Sequence, residues 1–262
     1  MSDASVHITR WGASGPRVVL VHGSMQGSAV GGAHHFAAQE RLAERGWRLV
    51  VPDRPGHGRS ADPGRPDDAE ADGAWVADLL EDGAHLVGHS FGGCVALAAA
   101  AKRPQAVRSL TLIEPALQNL APKDPRVRRF VLQAAWTMLS SFSATTRARR
   151  FLRLMRVPPE SGSGASPEEL ERVGKALLKL KVPASEVLRR QMETVRREGI
   201  PLLVVTGGWS PALEAAAEAA AALGGGQHRV IASEHHFPHN ISDEFNPVLD
   251  AFLRESDARR AR

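Results

Sequence analysis

Short β-branched and aliphatic runs alternate with stretches of helical spacing over the first 115 residues. The runs read as strands: Val6 to Trp11 (VHITRW) at an edge, Arg17 to Val21 (RVVLV) buried, then Arg48 to Val51 (RLVV), Ala84 to Gly88 (AHLVG) and Ser109 to Ile113 (SLTLI). Between them, Ala33 to Arg45, Ala74 to Leu80 and Phe91 to Lys102 have the character of helices. The second of these closes in Glu81-Asp82-Gly83, where the glycine is free to take a left-handed cap position. This βα rhythm predicts a mostly parallel sheet covered on both faces.

From Gln118 to about Glu198 the rhythm stops, and helical segments flank a loose stretch, PPESGSGASPEE, at 158–169. Within it Ser166-Pro167-Glu168-Glu169 is a helix start: a cap residue, proline at the first helical position, and a glutamate three residues after the cap. The rhythm returns with a strand over Pro201 to Thr206 (PLLVVT), a helix over Pro211 to Leu223, a strand over Gln227 to Ile231 and a last helix around Asn246 to Leu253. The expected architecture is therefore α/β, with a core domain of residues 1–117 and 199–262 and a helical insertion over 118–198.

Charge marks the same division. Residues 119–198 hold 17 Lys and Arg against 8 Asp and Glu, while the remainder holds 16 against 21. The insertion is basic, which fits either a solvated Arg-rich face or a field favouring anionic or carbonyl-rich substrates. The whole chain, at +4, carries too small a surplus to argue for a nucleic-acid partner. One cysteine, Cys94, excludes an intramolecular disulfide and a cysteine-cluster metal site. No apolar run approaches the length of a membrane span, and the N-terminus does not read as a signal peptide. The expectation is a cytoplasmic monomer or homodimer acting on a small molecule.

The chemistry concentrates at Gly88-His89-Ser90-Phe91-Gly92-Gly93, a single G-x-S-x-G pattern that follows a strand and opens an Ala-rich helix. That context is what a nucleophile elbow requires: glycines where side chains would crowd the turn, and Ser90 at its strained apex. The Phe91 N–H at the helix start is placed to meet a developing oxyanion. The run Val21-His22-Gly23-Ser24-Met25 ends a neighbouring strand, and the Ser24 amide, with Met25 as the alternative, supplies a second donor. Asp53 and His57 in the turn-rich run after the third strand read as local loop partners, His89 as a packing or locally bonded residue, and Cys94 as an inert core thiol.

HGS at 22–24, DRPGHGRS at 53–60 and GHSFGG at 88–93, in that order and with a helical insertion after the fifth strand, resemble the α/β-hydrolase fold. The resemblance spans about residues 6 to 253. It implies a central sheet of about seven or eight strands, a nucleophile–histidine–acid triad and a cap over the pocket, formed here by 118–198. The residues after the last strand offer His235, His236 and His239; matching His236-Phe237-Pro238 and the following Asp243-Glu244-Phe245-Asn246 to the family pattern selects His236 as general base. A zinc site from these histidines is disfavoured, because adjacent residues 235 and 236 point apart and no H-x-x-x-H pair lies on a helix. The sequence departs from the family at the acid: Gly207-Gly208-Trp209-Ser210 has serine where aspartate is usual. Glu114, at the end of the preceding strand and 24 residues after Ser90, replaces it, as in haloalkane dehalogenase relatives that place their acid there.

A serine nucleophile excludes haloalkane or epoxide chemistry by the usual covalent route, since an alkyl ether on Ser90 would not reopen. The reading is a serine hydrolase of carboxylic esters, lactones or thioesters that needs no metal or organic cofactor. Its alternatives are a lyase or cofactor-free oxygenase using His236 as base, and an inactive small-molecule binding protein. Met25, Trp136, Phe142, Trp209 and Phe237 are the expected pocket residues, with Met138, Leu139 and Phe151 as further lining residues from the insertion.

Overall fold

The computed structural model describes residues 6–158 and 165–260. Its centre is a seven-stranded sheet of order β1-β3-β2-β4-β5-β6-β7: β1 (Ile8–Trp11), β2 (Arg17–Val21), β3 (Arg48–Pro52), β4 (Ala84–His89), β5 (Val107–Ile113), β6 (Leu202–Thr206) and β7 (Gln227–Val230). Only β1, paired with β3, runs antiparallel.

Alternate residues of the inner strands β2 to β6 feed two cores. Val19, Val21, Leu86, Leu110, Leu112 and Val204 join one, while Val18, Leu20, Val87, Ile113, Leu203 and Val205 join the other. The helices that cover them are α1 (Ala69–Asp78), α2 (Phe91–Lys102), α3 (Pro125–Leu139), α4 (Ala144–Leu154), α5 (Pro167–Leu177), α6 (Ser185–Arg197), α7 (Pro211–Gly224) and α8 (Ser242–Arg260). α2 is apolar all round because it is buried in the first core, whereas Phe245, Leu249 and Leu253 of α8 close the second.

Local capping explains where elements differ from the sequence expectation. α1 starts earlier, at Ala69, because the Asp68 carboxylate accepts the Glu70 and Ala71 N–H groups. The left-handed residue beyond α1 is Glu81 (φ 47) rather than Gly83, whose φ is 146, and the Glu81 carboxylate pairs with Arg17. The helix expected over 33–45 is one α-turn, Gly32–His35, followed by a 3₁₀ stretch over Ala37–Arg45. Ser166 caps α5 by accepting the Glu169 N–H, as its sequence predicts, while residues 159–164 of the loose stretch lie outside those described.

The helices between β5 and β6 do not act alike. Leu188, Met192 and Val195 of α6 are buried in the first core, so α6 covers the sheet. α4 and α5 instead pack on each other through Ala148, Leu170, Val173 and Leu177, a separate cluster that stands over the C-terminal ends of the strands. Among the described residues no helix is long and apolar enough to cross a membrane.

Candidate active site

β4 runs into α2 through Ser90, whose φ of 55 and ψ of −124 place it in a region that costs about 1–3 kcal/mol for a non-glycine residue. The surrounding chain holds it there. The Ser90 N–H donates to the Ile113 carbonyl of β5 at 2.9 Å, and the Ser90 carbonyl accepts from the Ala116 N–H at 3.1 Å. Glycine is required beside it: a Cβ on Gly92 would lie 2.3 Å from the Val21 and His22 carbonyl oxygens, and one on Gly88 2.4 Å from the Gly92 oxygen. The β2 loop is pressed against the same turn, since a Cβ on Gly23 would approach the Ser90 Cβ to 3.1 Å. The N–H groups of Ser24 and Phe91 donate no hydrogen bond among the described residues, and both residues border a cavity at Ser90.

A hydrogen-bonded chain runs back from the serine. Ser90 Oγ lies 2.9 Å from His236 Nε2, and His236 Nδ1 lies 3.0 Å from Glu114 Oε2. Glu114, itself at a positive φ of 43, is fully buried and accepts from the Gly207 N–H at 2.6 Å and from the Trp209 indole N–H at 3.0 Å. Burial pushes its carboxyl up to about 7, against the opposing pull of those two N–H donors. Burial also holds His236 well below the ordinary histidine value, with His235 adding to the effect, so its imidazole is neutral at rest. A neutral ring that donates from Nδ1 to Glu114 presents a bare Nε2 to the serine hydroxyl.

Ser210 makes no hydrogen bond to His236; it sits at the start of α7 without using its side chain as a cap. Glu214, one turn into that helix, accepts from Thr206 Oγ1 and the Gly208 N–H. The first carboxylate after β6 is thus taken up by the end of that strand and the loop that follows, and the indole of that loop by Glu114.

Two networks go beyond the sequence reading. His89 Nε2 donates to the His236 carbonyl at 2.7 Å, and His35 Nε2 donates to the bare His89 Nδ1 at 2.9 Å. His89, read as a local partner, therefore holds the loop 147 residues away that carries His236. His239 is buried beside this pair with both ring nitrogens unpartnered. His35, His89 and His239 bring their nitrogens within 4.8 Å of one another and are the group among the described residues able to surround a metal ion. All three are held neutral by burial. His235, by contrast, turns to Ser233. Beneath the β3 loop, fully buried Arg54 pairs with Asp67 and Asp72 and lies over the Phe91 ring. Asp53 accepts the Gly32 and Arg59 N–H groups, as a loop partner. Cys94 is buried, and burial pushes its thiol up to about 12, which leaves it unreactive.

Two cavities meet at Ser90. The smaller, about 60 Å³, is bordered by His236, His89, Met25, Val30, Val157 and Phe237. The larger, about 350 Å³, is bordered by Phe91, Phe130, Ala134, Met138, Leu177 and Leu180. Of the residues named from the sequence, Met25 and Phe237 border the smaller cavity, Met138 the larger and Phe151 both. Trp136 and Phe142 do not. The face of α3 that meets the cavity carries Phe130, Ala134 and Met138 at helical spacing, which turns Trp136 outward at 71% exposure, and Phe142 follows the helix end wholly in solvent. Leu139 is turned outward with them. Trp209 stands behind the histidine rather than in either cavity.

The chain matches the model of a family described as Alpha/beta hydrolase family over residues 18–248. Lipase LipV of Mycobacterium tuberculosis is 38% identical over 133 residues, 48% of this chain and 46% of that protein. A 2-hydroxy-6-oxononadienedioate/2-hydroxy-6-oxononatrienedioate hydrolase of Burkholderia vietnamiensis is 37% identical over 117 residues, 43% of this chain and 40% of that one. The chain spans less than half the length of these curated relatives. An esterase from Exiguobacterium antarcticum superposes with a TM-score of 0.71 at 18% identity, covering 95% of both chains. A hydrolase from Pseudomonas aeruginosa superposes at 0.67 and 22% identity, covering 95% of this chain and 94% of that one. At these identities the superpositions speak to the fold.

Proposed function

Because the chain belongs to the α/β hydrolase family, we propose that it is a serine hydrolase that cleaves a carboxylic ester, lactone or thioester through an acyl-enzyme. The observation that carries this reading is the unbroken chain of hydrogen bonds from Ser90 Oγ through His236 to Glu114. His236 Nε2 takes the hydroxyl proton as Oγ attacks the carbonyl carbon, and Glu114 stabilises the imidazolium that forms. The Ser24 and Phe91 N–H groups receive the oxyanion, each such donor being worth about 10²–10³-fold in kcat. His236 then gives its proton to the departing oxygen or sulfur, and a water deprotonated by the same Nε2 releases the acid. α3, α4 and α5 form the cap over this chemistry, within the insertion 118–198.

A fluorophosphonate probe tests the nucleophile directly. Mass spectrometry should find the adduct on Ser90, and Ser90→Ala should abolish both label and turnover of an activated ester. Folded protein without label would favour a base-only lyase or oxygenase role for His236 and overturn this reading.

A further inference from the structure

The two cavities at Ser90 differ in size and in which catalytic group they adjoin, and that difference assigns the two sides of the substrate. In acyl transfer the leaving atom must receive its proton from His236 Nε2, so the leaving group lies on the side of the imidazole. The acyl carbon stays on Ser90 with its oxygen on the Ser24 and Phe91 N–H groups. The cavity of about 60 Å³ is the one bordered by His236, and the cavity of about 350 Å³ is the one bordered by Phe91. Phe151 and Met155, from α4 and just beyond it, border both cavities, as Ser24 and Ser90 do, and are the apolar side chains where the two meet.

Resting on the acyl-transfer reading above, we propose that the substrate is an ester with a compact leaving group and an unbranched apolar acyl chain of medium length. The larger cavity is apolar around Phe130, Ala134, Met138, Leu177 and Leu180. Its size is at the small end for ligand pockets and holds a chain of roughly six to ten carbons. Each methylene buried there contributes about fourfold to kcat/KM. The smaller cavity takes an alcohol of roughly one to three carbons and has no space for a glyceride backbone or a second long chain.

Isomeric esters separate this assignment from general hydrophobic preference. Ethyl hexanoate and hexyl acetate have the same composition and differ only in which side of the ester carries the chain. The enzyme should cleave ethyl hexanoate with kcat/KM on the order of 10²-fold above hexyl acetate. Ala134→Phe, which fills the larger cavity, should lower the ratio of ethyl hexanoate to ethyl acetate by about tenfold. Phe151→Ala, which opens space where the two cavities meet, should raise hexyl acetate turnover relative to ethyl hexanoate by about tenfold. Labelling of each variant at Ser90 by the fluorophosphonate shows that its site is assembled. A labelled wild-type enzyme that cleaves the isomers equally, or prefers hexyl acetate, overturns the cavity assignment and leaves the nucleophile standing. Folded wild-type enzyme that takes no label overturns both.

Discussion

Replacing Glu114 by glutamine should cripple the enzyme without weakening the fold. Burial raises the carboxyl from 4.5 to about 7, so the folded state holds the proton more tightly than the unfolded chain does. An acid shifted in that direction subtracts stability as pH rises: nothing below 4.5, and the full amount above about 7. The interval corresponds to about 3 kcal/mol. Glutamine removes that cost but presents an NH₂ group to one of the N–H donors now bound by the carboxylate, Gly207, Trp209 or His236. A buried donor left facing a donor costs about 1–3 kcal/mol. The net change at pH 8 is therefore a stability equal to wild type or up to about 2 kcal/mol higher, while kcat/KM falls roughly 10²- to 10⁴-fold because the imidazole loses its partner charge and its tautomer. Urea unfolding of both proteins at pH 5 and pH 8 is the assay. The mutant-minus-wild-type difference cancels the titration of the histidines common to both and should grow by about 3 kcal/mol between those pH values. A mutant less stable than wild type at pH 8, with no growth in the difference and turnover retained, would refute the placement of a costly buried charge at this position.

Ser210→Ala should change kcat/KM by severalfold at most, since its side chain neither caps α7 nor hydrogen-bonds to His236, whose ring partners are Glu114 and Ser90. Wild-type kcat/KM should fall as pH drops through about 7, where the Glu114–His236 pair takes up a proton, and the Glu114→Gln variant should lose that limb of the profile. Below about 6.5 the fold itself should weaken steeply, because His22, His35, His57, His89 and His239 are all held neutral by burial and must charge on unfolding; the decline should show in a circular-dichroism acid titration. Gly92→Ala should yield little soluble protein or a labelling-dead one, because its Cβ would meet two carbonyl oxygens at 2.3 Å. Trp136→Ser and Phe142→Ser should leave acyl-chain preference as it is, as both side chains lie outside the two cavities.

The inner strands β2 to β6 were legible in the sequence because each is apolar enough to be buried on both faces, whereas the edge strands β1 and β7 stay partly exposed. Ser90 was legible because a G-x-S-x-G pattern between a strand and a helix leaves few conformations open to the serine. The orientation of α3 was not. Periodicity says that Phe130, Ala134 and Met138 share a face and Trp136 another, but not which face meets a cavity, and the largest of these side chains proved to be the exposed one. The reach of His89 to the His236 carbonyl leaves no mark on local sequence, since the partners are joined only by the closure of the sheet. The Arg54, Asp67 and Asp72 cluster was hidden for a related reason: a charged residue in a turn-rich run and carboxylates at and inside the start of a helix read as solvated until burial is known.

The backbone bonds from Ser90 to Ile113 and from Ala116 to Ser90 tie the serine to the strand that ends at Glu114. β4 and β5 are parallel neighbours in register, His89 opposite Ile113, so the separation of serine and carboxylate is a property of the sheet. His89 anchors the His236 loop to the same β4 end. None of these three attachments passes through α3, α4 or α5. The spacing of Ser90, His236 and Glu114 is thus set by two strand ends and the loop that they hold, and not by the helices that border the cavities. Side chains around the two cavities can therefore be exchanged while the serine, the imidazole and the carboxylate keep their places.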